Sequence, residues 1–183
     1  MDLNRRSVLL AVLTALLVLC VGVSAASAAV WKDKGTNVSS KIEITFTGSS
    51  LIEGLGGTIG CAVHATIVTS GGSTGTVTKY ELTNCVTGGA FKSCKVNAAN
   101  AKALPWTVDV NTLDLTWTTS SVHYLLNASC STSEIELIVA STTVTLFAPS
   151  AITEIEFSKT SAVFSEVASL TVDSPNSGTY GIG

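Results

Sequence analysis

The chain has 183 residues, 46 % of them hydrophobic and only 13 % charged, with a formal net charge of −3. Both arginines, Arg5 and Arg6, lie near the N-terminus, so nothing downstream supplies the arginine-rich stripe that phosphate and base-edge recognition require, and nucleic-acid binding is excluded. The apolar fraction also excludes a disordered chain, and the abundance of Thr, Ser, Val, Ile and Ala points to β structure.

Met1 to Arg6 is short and basic, Val8 to Val23 is apolar, and Ser24 to Ala29 is a run of small residues. That order describes a secretory signal peptide. The Ala26-Ser27-Ala28 pattern places the cut after Ala28, with a cut after Ala29 as the near alternative. Asn4-Arg5-Arg6-Ser7-Val8-Leu9 also resembles a twin-arginine export signal, although the strongly apolar middle suits the general secretion route better. The competing reading is an uncleaved anchor, because the uncharged stretch from Val8 to Val30 can span a bilayer core of ~30 Å. It is the one route by which the chain would meet a membrane. Cys20 follows Leu19 rather than a small residue, which argues against lipid attachment. Cleavage removes both arginines and Asp2, leaving eight lysines against twelve acidic residues, a net charge of −4, over 155 residues. That length suits one domain with a sizeable core. The expected organisation is a signal peptide 1–28, a flexible mature N-terminus 29–37 and a single β domain 38–183.

Lys41 to Thr47, Glu134 to Leu137 and Glu154 to Phe157 alternate apolar and polar residues with period two, the pattern of strands with one buried face. Further strands are predicted over Thr58 to Val68, Thr76 to Leu82, Lys92 to Ala98, Trp106 to Val110, Leu113 to Thr118, Val122 to Asn127, Thr142 to Phe147 and Val167 to Val172. Turn clusters separate them at Gly54 to Gly57, Ser70 to Gly75, Thr87 to Gly89 and Ser174 to Gly178. Ser161 to Ser169 suits either a short helix or a strand extension. The expected fold is all-β, an antiparallel β-sandwich with a closed β-barrel as the alternative.

Cys61, Cys85, Cys94 and Cys130 remain after cleavage, and an even number in an exported chain implies two disulfides. Their spacings match neither a zinc site nor a C-x-x-C redox pair. Pairing can be approached through the hairpin centred on Gly71 to Gly75. Residue numbers summing to 146 set Cys61 opposite Cys85. A sum of 145 instead gives a clean apolar face of Val63, Ala65 and Ile67 with Leu82 and Tyr80, and sets His64 against Glu81 and Thr66 against Lys79. A one-residue slip reverses every side chain, so either a bulge near Thr83-Asn84 or an end to the strand there would reconcile the two registers. This favours Cys61–Cys85 with Cys94–Cys130; the rival set is Cys85–Cys94 with Cys61–Cys130.

His64 then reads as a cross-strand partner of Glu81, and His123 has no second histidine or cysteine beside it in sequence. No G-x-S-x-G or comparable nucleophile context is present. Glu134 with Glu136, and Glu154 with Glu156, could serve glycoside hydrolysis, but i, i+2 spacing puts each pair on one strand face, most simply the wet one. Leu104-Pro105-Trp106-Thr107-Val108 departs from a sortase signal at Val108 and reads as a bend entering a strand. Trp31, Trp106 and Trp117 are candidate ligand-stacking aromatics, with core packing the competing role for Trp106 and Trp117. Asn37-Val38-Ser39 and Asn127-Ala128-Ser129 fit glycosylation sequons. Catalytic residues, cofactor-binding residues and metal ligands are not expected.

The signal peptide, Gly56-Gly57 before Cys61, Cys85 with Cys94, Leu104-Pro105-Trp106 and Cys130 together resemble uncharacterised secreted β-rich actinobacterial proteins over residues 55–130. That resemblance implies an exported, disulfide-linked β domain without a known active site. The leading expectation is a secreted or cell-surface, non-enzymatic binding or structural module, meeting cell-surface polysaccharide or another extracellular protein. The alternative is a carbohydrate-active protein, either a lectin-like binder or a weak glycoside hydrolase, and an inhibitor or toxin-like protein is a third.

Overall fold

A strand that sends every second side chain into a core needs apolar residues only at i, i+2 and i+4, and the chain follows that rule from Ile42 onward. The computed structural model describes residues 29–111, 114–173 and 177–183. These form twelve strands and one short 3-10 turn, Pro149–Ala151. Two short strands, β1 (Trp31–Asp33) and β2 (Thr36–Asn37), come first. β3 (Ile42–Gly54) and β4 (Gly57–Thr69) then make an unbroken hairpin whose register runs from Ile42↔Thr69 to Gly54↔Gly57. Its turn residues, Leu55 and Gly56, both have positive φ, 52° and 74°, the mirror-image turn whose twist matches that of the strands.

β5 (Thr74–Gly89) returns along β4, and the chain continues into β6 (Val96–Lys102) and β7 (Trp106–Val110). β8 (Asp114–Leu126) pairs first with β7 and then, further along, with β6. β9 (Glu134–Phe147) runs antiparallel along β8, β10 (Glu154–Thr160) along β9, and β11 (Phe164–Val172) along β10 and β3. β12 (Tyr180–Ile182) pairs with β1, which also pairs with β2, as a separate three-stranded sheet.

The strand pairing forms a circuit: β4, β3, β11, β10, β9, β8, β7, β5 and back to β4. It is not a regular barrel, because β6 shares the space between β5 and β8 with β7 and touches β5 only at Glu81↔Asn100. The fold is antiparallel all-β, and opposite arms of the sheet pack face to face over one core. Tyr80 on β5 lies 6.3 Å from Phe157 on β10, and Trp117 on β8 lies 4.8 Å from the same ring.

Several expectations change. Residues 29–37, read as flexible, contain β1 and β2, and the Trp31 side chain is fully buried. The physical reason is non-local: β1 hydrogen-bonds to β12, almost the whole chain away, and the Trp31 N–H donates to the Gly72 carbonyl at 3.0 Å. The separate strands predicted at Leu113–Thr118 and Val122–Asn127 are one strand, as are those at 134–137 and 142–147. Both join because β8 and β9 stay paired through the polar stretch between. Thr87 to Gly89 extends β5 rather than ending it, and residues 161–169 resolve as a tight turn entering β11. The signal peptide or anchor at 1–28, and Ser174 to Asn176 of the last turn cluster, lie outside the described residues.

Candidate functional site

The hairpin between β4 and β5 settles the cysteine question. Val63↔Leu82, His64↔Glu81, Ala65↔Tyr80 and Thr66↔Lys79 hold the register with the apolar face inward. The register then shifts between Gly60 and Ala62, where Asn84 takes a φ of 50°. Asparagine tolerates this left-handed conformation better than most residues. The extra residue turns Cys85 toward Cys61, and the two are bonded with their Cα atoms 4.1 Å apart. Cys94 bonds Cys130, tying the turn before β6 to the loop between β8 and β9. A second shift, between Thr66 and Ile67, returns Val77 to the core.

The three candidate stacking aromatics are all interior. Trp31, Trp106 and Trp117 are each no more than 1 % exposed, so none offers a face to a ligand in solution. Trp106 and Trp117 pack 6.0 Å apart between the arms of the sheet, because inward positions on β7 and β8 leave a wide indole nowhere else to go. Glu134, Glu136 and Glu156 are exposed on the outside, and Glu154, half-buried, accepts a hydrogen bond from Ser169 at 2.6 Å.

Both histidines fall in one lateral row across the outer face: Thr47, His64, Glu81, Asn100, His123 and Glu136 are successive cross-strand neighbours. Two strands separate the histidines, and each has its own carboxylate neighbour. Glu81 sits beside His64 and pairs with Lys79 at 3.0 Å, and His123 contacts the Glu134 carboxylate. Among the described residues no group of three or more His, Cys, Asp or Glu side chains is placed to hold a metal ion.

The interior holds a constellation that sequence reasoning missed. Lys159 on β10 and Glu166 on β11 are directly paired across the strands, with both side chains wholly buried and Nζ 3.5 Å from Oε2. The Tyr80 hydroxyl donates to Glu166 Oε1 at 3.1 Å. Around Nζ stand Trp106 and Phe157, each 4.8 Å to the ring centre, Tyr80 at 5.3 Å and Trp117 at 5.9 Å. Burial pushes the Lys159 amine below its usual value, against the opposing pull of Glu166. Burial and then the Glu166 charge raise the Tyr80 hydroxyl well above its usual value, so that it remains a donor. The signal was present in the alternation: Ile155, Phe157 and Lys159 share one strand face, as do Glu166, Ala168, Leu170 and Val172.

Outside, a short apolar row crosses four strands. Val86 on β5, Gly60 on β4, Leu51 on β3 and Val167 on β11 are consecutive cross-strand neighbours. Val86, Leu51 and Val167 are 69 %, 43 % and 55 % exposed. Gly60 floors a shallow trough: a Cβ added there would lie 3.7 Å from Val86 and 3.9 Å from Leu51.

A family described as alkane oxidation protein activator PraA/PraB-like matches residues 5–174. The chain belongs to this family. The match runs from residue 5 to beyond β11, so PraA/PraB-like membership covers the closed circuit, both disulfides and the Lys159–Glu166 pair rather than one local motif. No curated protein and no solved structure matches the chain.

Proposed function

We propose that this PraA/PraB-like protein is exported and works outside the cytoplasm as a non-enzymatic binding domain for apolar, alkane-like surfaces. The observation that carries this is the exposed row of Val86, Leu51 and Val167 around the Gly60 trough. Apolar side chains on the wet face of a sheet gain when they meet an apolar partner. Export is supported by the leader-like order of residues 1–28 and by two disulfides, which persist in oxidising compartments. The family description names alkane oxidation, which gives the apolar partner its chemical class. The carbohydrate-binding alternative loses its main support with the burial of all three tryptophans.

Adsorption of the purified mature protein to droplets of a long-chain n-alkane tests the reading. Completing the burial of these half-exposed side chains is worth roughly 1 kcal/mol each. The triple variant Leu51→Ser, Val86→Ser, Val167→Ser is therefore expected to bind about a hundredfold more weakly while keeping its circular dichroism spectrum. Equal adsorption by the variant would overturn the assignment. Retention on cell-wall polysaccharide without alkane adsorption would restore the carbohydrate reading.

A further inference from the structure

We propose that Lys159 and Glu166 condense after folding into an intramolecular amide bond that links β10 covalently to β11. The two side chains are cross-strand neighbours, and both are removed from water. The exposed ion pairs Lys41–Glu43 and Lys79–Glu81 close to 3.0 Å, the spacing of a charge-assisted hydrogen bond, whereas this buried pair stands at 3.5 Å. Beyond each other, Lys159 Nζ and Glu166 Oε2 have no hydrogen-bond partner among the described residues. Two charges held inside a protein with so little hydrogen bonding are only partly compensated for their loss of water. An amide removes both.

The surroundings suit the reaction. Four aromatic rings and the closed sheet keep bulk water from the pair, which favours proton transfer from the ammonium to Oε2 and gives a neutral amine beside a carboxylic acid. The lowered basicity of the buried amine agrees with that direction. The amine lone pair adds to Cδ of Glu166, and negative charge gathers on Oε1, the oxygen that already accepts the Tyr80 hydrogen bond. The nitrogen then releases a proton to Oε2, the Cδ–Oε2 bond breaks, and one water leaves as the Nζ–Cδ amide forms. Nothing is oxidised or reduced, and no co-reactant is needed. Fixing amine and carboxyl at contact distance supplies a large effective concentration. In the product Oε1 remains the carbonyl oxygen held by Tyr80, and the amide N–H faces the rings.

Mass spectrometry of the reduced, denatured mature protein tests this directly. Lys159 is the last lysine of the chain and Lys102 the one before it. Trypsin cuts only after a free lysine side chain, so a cross-linked protein yields one peptide spanning 103–183, lighter than its sequence by one water. Fragmentation should place that loss on Lys159 and Glu166. Glu166→Ala should recover the full mass and the cut after Lys159, and both are read on unfolded chain, so the result does not depend on how well the variant folds. A wild-type protein of full mass that releases peptides 103–159 and 160–183 would overturn the proposal.

Discussion

Two hairpins of this protein join neighbouring strands through side chains, and they do so on different terms. The β4–β5 hairpin keeps its charges outside, with His64 facing Glu81 and Thr66 facing Lys79, and locks its inner face with Cys61–Cys85. The β10–β11 hairpin reverses that arrangement, with Glu154, Glu156 and Ser158 on one face and the Lys159–Glu166 pair directed into the core. The difference teaches that a cross-strand charge pair has no fixed meaning. On the wet face it is screened and adds little, whereas in the core each charge depends on its partner.

Breaking the inner pair from one side should have the largest effect. Lys159→Ala leaves Glu166 buried without its counter-charge and is expected to destabilise the fold by about 3–5 kcal/mol in urea titration. Replacing both, as Lys159→Met with Glu166→Leu, removes the stranded charge but not the loss of the cross-link, and should recover only part of that stability. Full recovery by the double variant would show that the pair does no more than neutralise itself. Opening the β4–β5 clasp comes next. Cys61→Ser with Cys85→Ser frees a loop of 24 residues' separation and should lower the unfolding free energy by roughly 3 kcal/mol in the chain-entropy account. The outer pair should matter least. His64→Ala is expected to change stability by less than about 0.5 kcal/mol, and a loss above that in calorimetry would mean the outer row is more tightly coupled than its exposure implies.

Period-two alternation makes the strands legible, and the conflict between two registers points to a bulge or a strand end near Thr83-Asn84; the structure has the bulge, with Asn84 at positive φ. That succeeded because both facts are local to one hairpin. Trp31 falls in a segment that looks loose in sequence because its partner strand, Tyr180–Ile182, is almost the whole chain away and leaves no mark near residue 31. The polar stretch around Ser120 and Ser121 hid the continuity of β8, since alternation changes face there while the pairing with β9 persists. Lys159 and Glu166 are hidden in the sequence for a different reason. Their parity was readable, but the strong preference of charged residues for water made an inward reading the less natural one. The exposed apolar row needed the register of three strand pairs at once, and no single segment contains it.

The three-stranded sheet of β2, β1 and β12 also imposes an order of events. β1 can pair with β12 only when residues 180–182 are in place, so an early strand of the domain waits for a late one. Val30 and Gly183 exchange backbone hydrogen bonds at 3.2 and 3.1 Å, which brings the two ends of the described chain together. Sealing this corner therefore ties β1 to a strand almost the whole described chain away: without residues 180–182, β1 would keep only its short pairing with β2.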